Sequence, residues 1–257
     1  MEFSMNCYEF AEWASRLLDI PGFLGIDDSV NGLQVASSEK PIRTIAYAVD
    51  ACADSIERAS ALNADLLFVH HGLLWGKPQA ISGSLFERIR LLIQRDIALF
   101  ACHLPLDAHK ELGNNVQLAN LLGLQDLEPF GLYHGKTIGW KGRFPNPKSL
   151  HEVQTMLLPQ GDSPRAVYPF GKAANTSAAI VSGGAPFEAL QAIDENIDIY
   201  ITGEPSHSVY HLVKEAGLNM IAAGHYLTET HGVKAVAEKT AVELGIAAHF
   251  IELPTGL

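Results

Sequence analysis

Short apolar runs that stop in polar residues alternate with amphipathic segments along most of this chain, and that alternation restricts the fold more than any other feature. Thr44–Val49, Asp65–Val69 and Ile97–Cys102 read as strands. Between them Asp54–Leu62 and Ser84–Arg95 read as helices, the second burying Leu85, Ile89, Leu92 and Ile93 at helical spacing. A helix over Cys7–Asp19 comes first, with Phe10, Trp13, Leu17 and Leu18 on its apolar side, and Pro21–Gly22 stops it. Asn114–Leu122 is a further helix, closed by Gly123. Strands separated by helices of about ten residues pair in parallel through crossover connections.

The later part of the chain repeats the pattern. Ala178–Ser182, Ile197–Thr202, Asn219–Ala223 and Ala247–Leu253 read as strands, and Pro186–Asp194, Ser206–Ala216 and Thr230–Leu244 as helices. Between the halves, residues 125–175 are rich in Pro and Gly. That stretch holds expected strands at Thr137–Phe144 and Ala166–Phe170, and a helix from the capping-box spacing Ser149–Glu152 to about Leu158. The expected organisation is therefore a first α/β lobe over 1–124, a connecting insert over 125–175 and a second α/β lobe over 176–257. The fold class is α/β, two similar lobes forming a pseudo-repeat, with mainly parallel sheets and a cleft between them.

Composition narrows the function. The formal net charge of −11 argues against phosphate-driven nucleic-acid binding, which needs a basic face. No apolar run reaches the ~18–20 residues needed to cross a membrane. Met1–Ser4 shows no basic region leading into an apolar core, so no signal peptide is visible. Cys7, Cys52 and Cys102 form neither a disulfide framework nor a CxxC pair, and free thiols suit a reducing cytoplasm, the expected location.

Chemistry-bearing residues collect where the expected strands end. Asp65–Val69 runs into His70–His71, and Ile97–Cys102 into His103 with Asp107 four residues on. Asp198–Thr202 runs into Gly203–Glu204, and Asn219–Gly224 into His225 with Glu229 four residues on. In parallel sheets ligands gather at the carboxyl ends of strands. Two facing halves would bring His70, His71 and Asp107 together with His225 and Glu229. Imidazole and carboxylate donors suit zinc, iron, manganese, nickel or cobalt without choosing among them. A carboxylate can bridge two ions, and an ion pair can hold a hydroxide nucleophile and polarise the bond under attack. Hydrolysis fits better than redox or group transfer, because no phosphate-binding loop appears and Gly183–Gly184 lacks the dinucleotide fingerprint.

Other residues have plainer readings. His103 serves equally well as a ligand or as an outer proton-shuttling group. Glu204 can orient a ligand, act as general base or cap the helix near Ser206. Asn31 makes a turn with Gly32, Cys102 belongs to the core, and Trp75 and Tyr226 pack beside the motifs. His207, His211 and His231 are surface or interface groups.

The segments Asn31–Val35, Val69-His70-His71-Gly72, His103-Leu104-Pro105-Leu106-Asp107, Thr202-Gly203-Glu204 and Ala223–Glu229 together resemble the motif set of the Nif-three-like family, often labelled GTP cyclohydrolase 1 type 2 homologues. The resemblance implies two related α/β lobes and a ring-shaped homohexamer made from dimers. It also implies a dinuclear centre of two divalent transition-metal ions per chain, held by His70, His71, Asp107, His225 and Glu229, with Glu229 bridging. His103 and Glu204 are then the catalytic candidates. The substrate is a small molecule, GTP by the family label, with hydroxide attacking C8 of the guanine. The rival is a ring-forming metal-binding protein that captures a protein or a single-stranded nucleic acid without turnover.

Overall fold

A computed structural model describes residues 5–257; Met1–Ser4, inspected above for a leader, lie outside the described residues. The elements in chain order are α1 (Cys7–Leu17), β1 (Gly32–Val35), β2 (Thr44–Asp50), α2 (Ala53–Ala61), β3 (Leu66–His71), α3 (Gly83–Arg95), β4 (Ala98–Ala101), α4 (Leu104–Ala108) and α5 (Asn114–Leu121). There follow β5 (Gln125–Tyr133), β6 (Lys136–Lys148), α6 (Leu150–Leu157), β7 (Ala166–Pro169), β8 (Asn175–Ile180), α7 (Ala189–Asp194), β9 (Ile199–Thr202), α8 (His207–Ala216), β10 (Asn219–Ala222), α9 (His225–Leu244) and β11 (Ala247–Phe250). No helix among the described residues is long and apolar enough to cross a membrane.

The chain divides into two α/β units. One holds the described residues up to His109 with Val233–Leu253; the other holds Lys110–Gly232 with Pro254–Leu257. The division differs from the lobes expected at 1–124, 125–175 and 176–257. Residues 125–175 are no separate insert: β6 pairs with β8, which ties that stretch into the second unit's sheet. In the other direction β11 returns to pair in parallel with β2, so the end of the chain completes the first unit's sheet.

The first unit's sheet has the order β1-β4-β3-β2-β11, and every pairing except the antiparallel β1–β4 is parallel. Both faces of its middle strands are buried, which explains their unbroken apolar sequence. Alternation sorts the side chains. Ala46, Ala48, Leu67, Val69, Leu99 and Ala101 join Ile56 and Ala59 of α2 and Leu92 of α3 in one core. Toward α1 lies an aromatic column: Phe10 meets Phe100 edge-on at 5.5–5.8 Å spacings that continue through Phe68, whose ring is 5.3 Å from Tyr47. The Tyr47 hydroxyl, buried there, donates to Thr240 Oγ1 of α9 at 2.7 Å.

The second unit's sheet has the order β5-β6-β8-β9-β10-β7. Its centre, β8-β9-β10, is parallel, and its flanks are antiparallel, so this sheet is mixed. Strand β5 carries no period-two pattern, and it forms because the turn at Tyr133–Lys136, with His134 and Gly135 at positive φ, folds it back on β6. Leu118 and Leu122 from the α5 region and Val153 and Leu157 of α6 pack with Ile180, Ile199, Ile201 and Ile221 of the sheet. The expected capping box starts α6: Ser149 Oγ accepts from Glu152 N at 3.2 Å, and Glu152 Oε2 accepts from Ser149 N at 2.8 Å. Two boundaries bear on the site. Residues 104–108 form the short helix α4, and α9 begins at His225, five residues before the expected start at Thr230.

Candidate metal centre

In the first unit, β3 is the middle strand and delivers His70 and His71 at its carboxyl end. His70 is fully buried and its Nδ1 donates to the carbonyl of Cys102 at 2.9 Å. A carbonyl only accepts, so Nδ1 carries a proton, and Nε2 lies 3.5 Å from Asp107 Oδ2. His71 stands opposite Asp50 in the β2–β3 register and its Nδ1 donates to Asp50 Oδ1 at 2.9 Å. His103 follows β4, and its Nδ1 donates to Asp27 Oδ1, also at 2.9 Å. One ring nitrogen each from His70, His71 and His103 lies within 4.8 Å of the others.

Asp27 anchors this group from a loop far away in sequence. Its side chain is only 2% exposed. It accepts from His103 Nδ1 and Ser29 N on one oxygen, and from Leu104 N and Asn31 Nδ2 on the other. Burial alone would raise its pKa, but the His103 hydrogen bond and charge, with the Asn31 and Ser29 donors, hold it below the usual carboxylate range. Asn31 does more than turn the chain, because its Oδ1 accepts from His103 N at 2.7 Å. Cys102 is wholly buried, and burial, with the Asp107 and Asp27 charges, keeps its thiol protonated, as suits a core residue.

In the second unit, His225 and Glu229 sit one turn apart on α9, with His225 Nε2 3.2 Å from Glu229 Oε1. The His225 Nδ1 faces Glu204 Oε1 at 2.6 Å, so Glu204, following β9, orients the imidazole. Burial would lower the His225 pKa, but hydrogen bonds and charge from Glu229 and then Glu204 outweigh it and push the value up to about 9. A metal ion taken up on this ring displaces a proton. The turn at Gly183 closes around the pair. Its φ is +66°, and a Cβ there would overlap Glu229 Oε1 and stand 3.2 Å from His225 Nε2. The Gly183 carbonyl accepts from Gly203 N and Glu204 N, and Gly183 N donates to Thr228 Oγ1.

The donor chemistry fits a divalent transition metal in both units. His70, His71, His103 and His225 each set Nδ1 against an oxygen, so Nε2 is the ring atom that could coordinate an ion; carboxylates or carbonyls behind ligating imidazoles are the usual supporting arrangement. A family model described as Duf34/NIF3 (NGG1p interacting factor 3) matches residues 5–255. The chain belongs to the DUF34/NIF3 family. A relative named GTP cyclohydrolase 1 type 2 homolog, from Pyrococcus horikoshii, is 44% identical over 98% of this chain and 100% of its own length. A relative of the same name from Archaeoglobus fulgidus is 40% identical, with the same coverage. A crystal structure of a protein from Thermus thermophilus matches with a TM-score of 0.89 at 39% identity, covering 98% of this chain and 100% of that one.

Within this DUF34/NIF3 chain the structure brings His70, His71, His103 and Asp107 together in one unit, and Glu204, His225 and Glu229 together in the other. His207 and His211 are exposed on α8, and Tyr226 is buried as packing. Sequence reasoning passed over Asp27, Asp50 and Gly183. Asp50, the last residue of a strand beside the histidine strand, carried a usable signal, and so did an Asp-x-x-x-Asn spacing at Asp27 and Asn31.

Proposed function

We propose that this DUF34/NIF3 member is a metal-dependent hydrolase whose imidazole and carboxylate donor sets hold divalent transition-metal ions, with a nucleotide or related heterocyclic or phosphorylated compound as substrate. The observation that carries the reading is the common setting of four imidazoles, Nδ1 held by an oxygen and Nε2 offered as donor. Asp27, 2% exposed, is the one of the three carboxylates behind these rings that is held at a cost in burial.

Bound by these donors, a pair of ions supplies Lewis-acid polarisation and an activated water near neutral pH. His70, His71 and Asp107 would be the donors of the first set, and His225 and Glu229 those of the second. His103, backed by Asp27, would add a further imidazole to the first donor set or pass a proton to the departing atom, and half-exposed Glu204 would keep His225 aligned. Assembly as a ring-shaped hexamer of dimers belongs to the same proposal and is read by light scattering.

The deciding experiment is elemental mass spectrometry on untagged protein purified without chelator. About two transition-metal ions per chain is the expected result, followed by a hydrolysis screen that begins with GTP and compares chelated with reloaded protein. Absence of metal, with none restored on reconstitution, would overturn the proposal.

A further inference from the structure

The indole of Trp75 is held beside the imidazole set by more structure than packing requires. Its ring centroid lies 4.9 Å from that of His103, nearly edge-on at 73°, and 6.1 Å from that of His71. Its Nε1–H donates to the Gly72 carbonyl at 2.9 Å, so the ring's polar edge is satisfied by its own turn. The backbone on either side is clamped to the loop before β1: Val30 N donates to Leu74 O, and Gly76 N to Asp28 O. The Gln34 amide completes the clamp, its Oε1 accepting from Leu73 N and Leu74 N at 2.7 and 3.2 Å and its Nε2 donating to Val30 O at 2.7 Å. Gly72 leaves room for this, since a Cβ there would overlap the Gln34 amide.

The chain does not cover what it has fixed. Trp75 is only half-buried, and residues 76–84 that follow are all exposed. A large ring held rigidly beside the imidazole set and left partly open offers a face on which a planar ring can stack.

We propose that Trp75 is the substrate-ring platform of the site, so that the substrate class is a planar heteroaromatic compound rather than a simple phosphate ester. The inference rests on the hydrolase reading of the imidazole set, but its test does not need turnover. Binding of guanosine monophosphate is measured by equilibrium dialysis on the full, metal-loaded protein and on Trp75→Phe, Trp75→Leu and Trp75→Ala, with ribose phosphate as the ringless probe. Metal content is measured on every variant. Stacking on one base predicts that Trp75→Ala and Trp75→Leu lose about ten- to a hundredfold in affinity for the nucleotide. Trp75→Phe should stay within about threefold, since it keeps an aromatic face, and ribose phosphate binding should be unchanged throughout. Trp75→Leu binding the nucleotide as well as Trp75→Phe, an equal loss for ribose phosphate, or no nucleotide binding by the unaltered protein would each overturn the assignment. Failure of the hydrolase reading shows separately, as absent metal.

Discussion

Asp65 opens β3, accepts from Arg43 N at 2.8 Å and Thr44 N at 3.1 Å, and pairs with Lys40 at 3.1 Å. Asp198 opens β9 in the second unit, accepts from Thr176 N and Oγ1, both at 2.8 Å, and pairs with Lys172 at 2.6 Å. In each case the lysine stands four residues before the threonine. The amino ends of the two sheets thus carry the same clamp, joining the start of one parallel strand to the start of the next. The carboxyl ends differ. The first unit gathers three imidazoles, each with its own aspartate (Asp107, Asp50 and Asp27), and the second gathers one imidazole between two glutamates. The same His-x-x-x-acid spacing even gives different contacts. His103 is the N-cap of α4 with non-helical backbone, so its ring turns to Asp27 and leaves Asp107 to His70. His225 is already helical, so Glu229 falls directly one turn beyond it. The comparison teaches that the repeated frame persists where strands must be joined, while the ends that face chemistry are free to diverge.

The strongest way to break this contrast is Glu229→Ala. A bridging role predicts loss of both ions, read by elemental mass spectrometry, with an unchanged far-ultraviolet circular dichroism spectrum; full retention of metal would refute bridging. The supporting carboxylates should rank by burial. Asp27→Asn is expected to weaken metal binding toward the upper part of the about ten- to hundredfold range for such partners, and Glu204→Gln toward the lower part. The reason is that the Asp27 side chain is 2% exposed and that of Glu204 49%, so water can replace only the latter. Competition titrations with a chelating dye would test the order, and the reverse order would show that burial does not govern it.

Gly183→Ala probes the second set alone. Left-handed backbone costs a residue with a Cβ about 1–2 kcal/mol, and overlap with Glu229 adds to that. A lowered denaturation midpoint with reduced metal content is expected, and an unchanged midpoint would mean the turn relaxes freely. The smallest effect belongs to the shared clamp. Burial would raise the Asp198 pKa, but the hydrogen bonds from Lys172 and Thr176 hold it below the usual carboxylate range. A depressed native pKa contributes stability that is present above the unfolded value and is lost as pH falls through the native one. Asp198→Asn should therefore cost about 1 kcal/mol near neutral pH and progressively less in acid. Urea midpoints that differ equally at both pH values would count against the carboxylate's charge as the source.

The strand-helix alternation and the residues at strand ends were legible because each is local: an apolar run, a helical spacing, a polar stop. His70, His71, His225 and Glu229 stood out on that basis alone. Strand β5 was not legible, since its partner β6, and not its own pattern, holds it in place. The start of α9 was missed for a related reason, because Gly224 at φ +120° looks like a helix boundary and only the turn that follows shows His225 to be helical.

What the sequence by itself determined is the class of fold, through hydrophobic periodicity, and the types of donor atom available at the strand ends. What only the tertiary structure decided is how those atoms are prepared. Asp27 lies 76 residues from His103 and Asp50 lies 21 from His71, and no local pattern links them. Hydrogen bonds between distant segments depend on the register of the sheet, and they fix which ring nitrogen faces the supporting oxygen. Tautomer, orientation and proton affinity are therefore properties of the folded neighbourhood and not of the residue types alone.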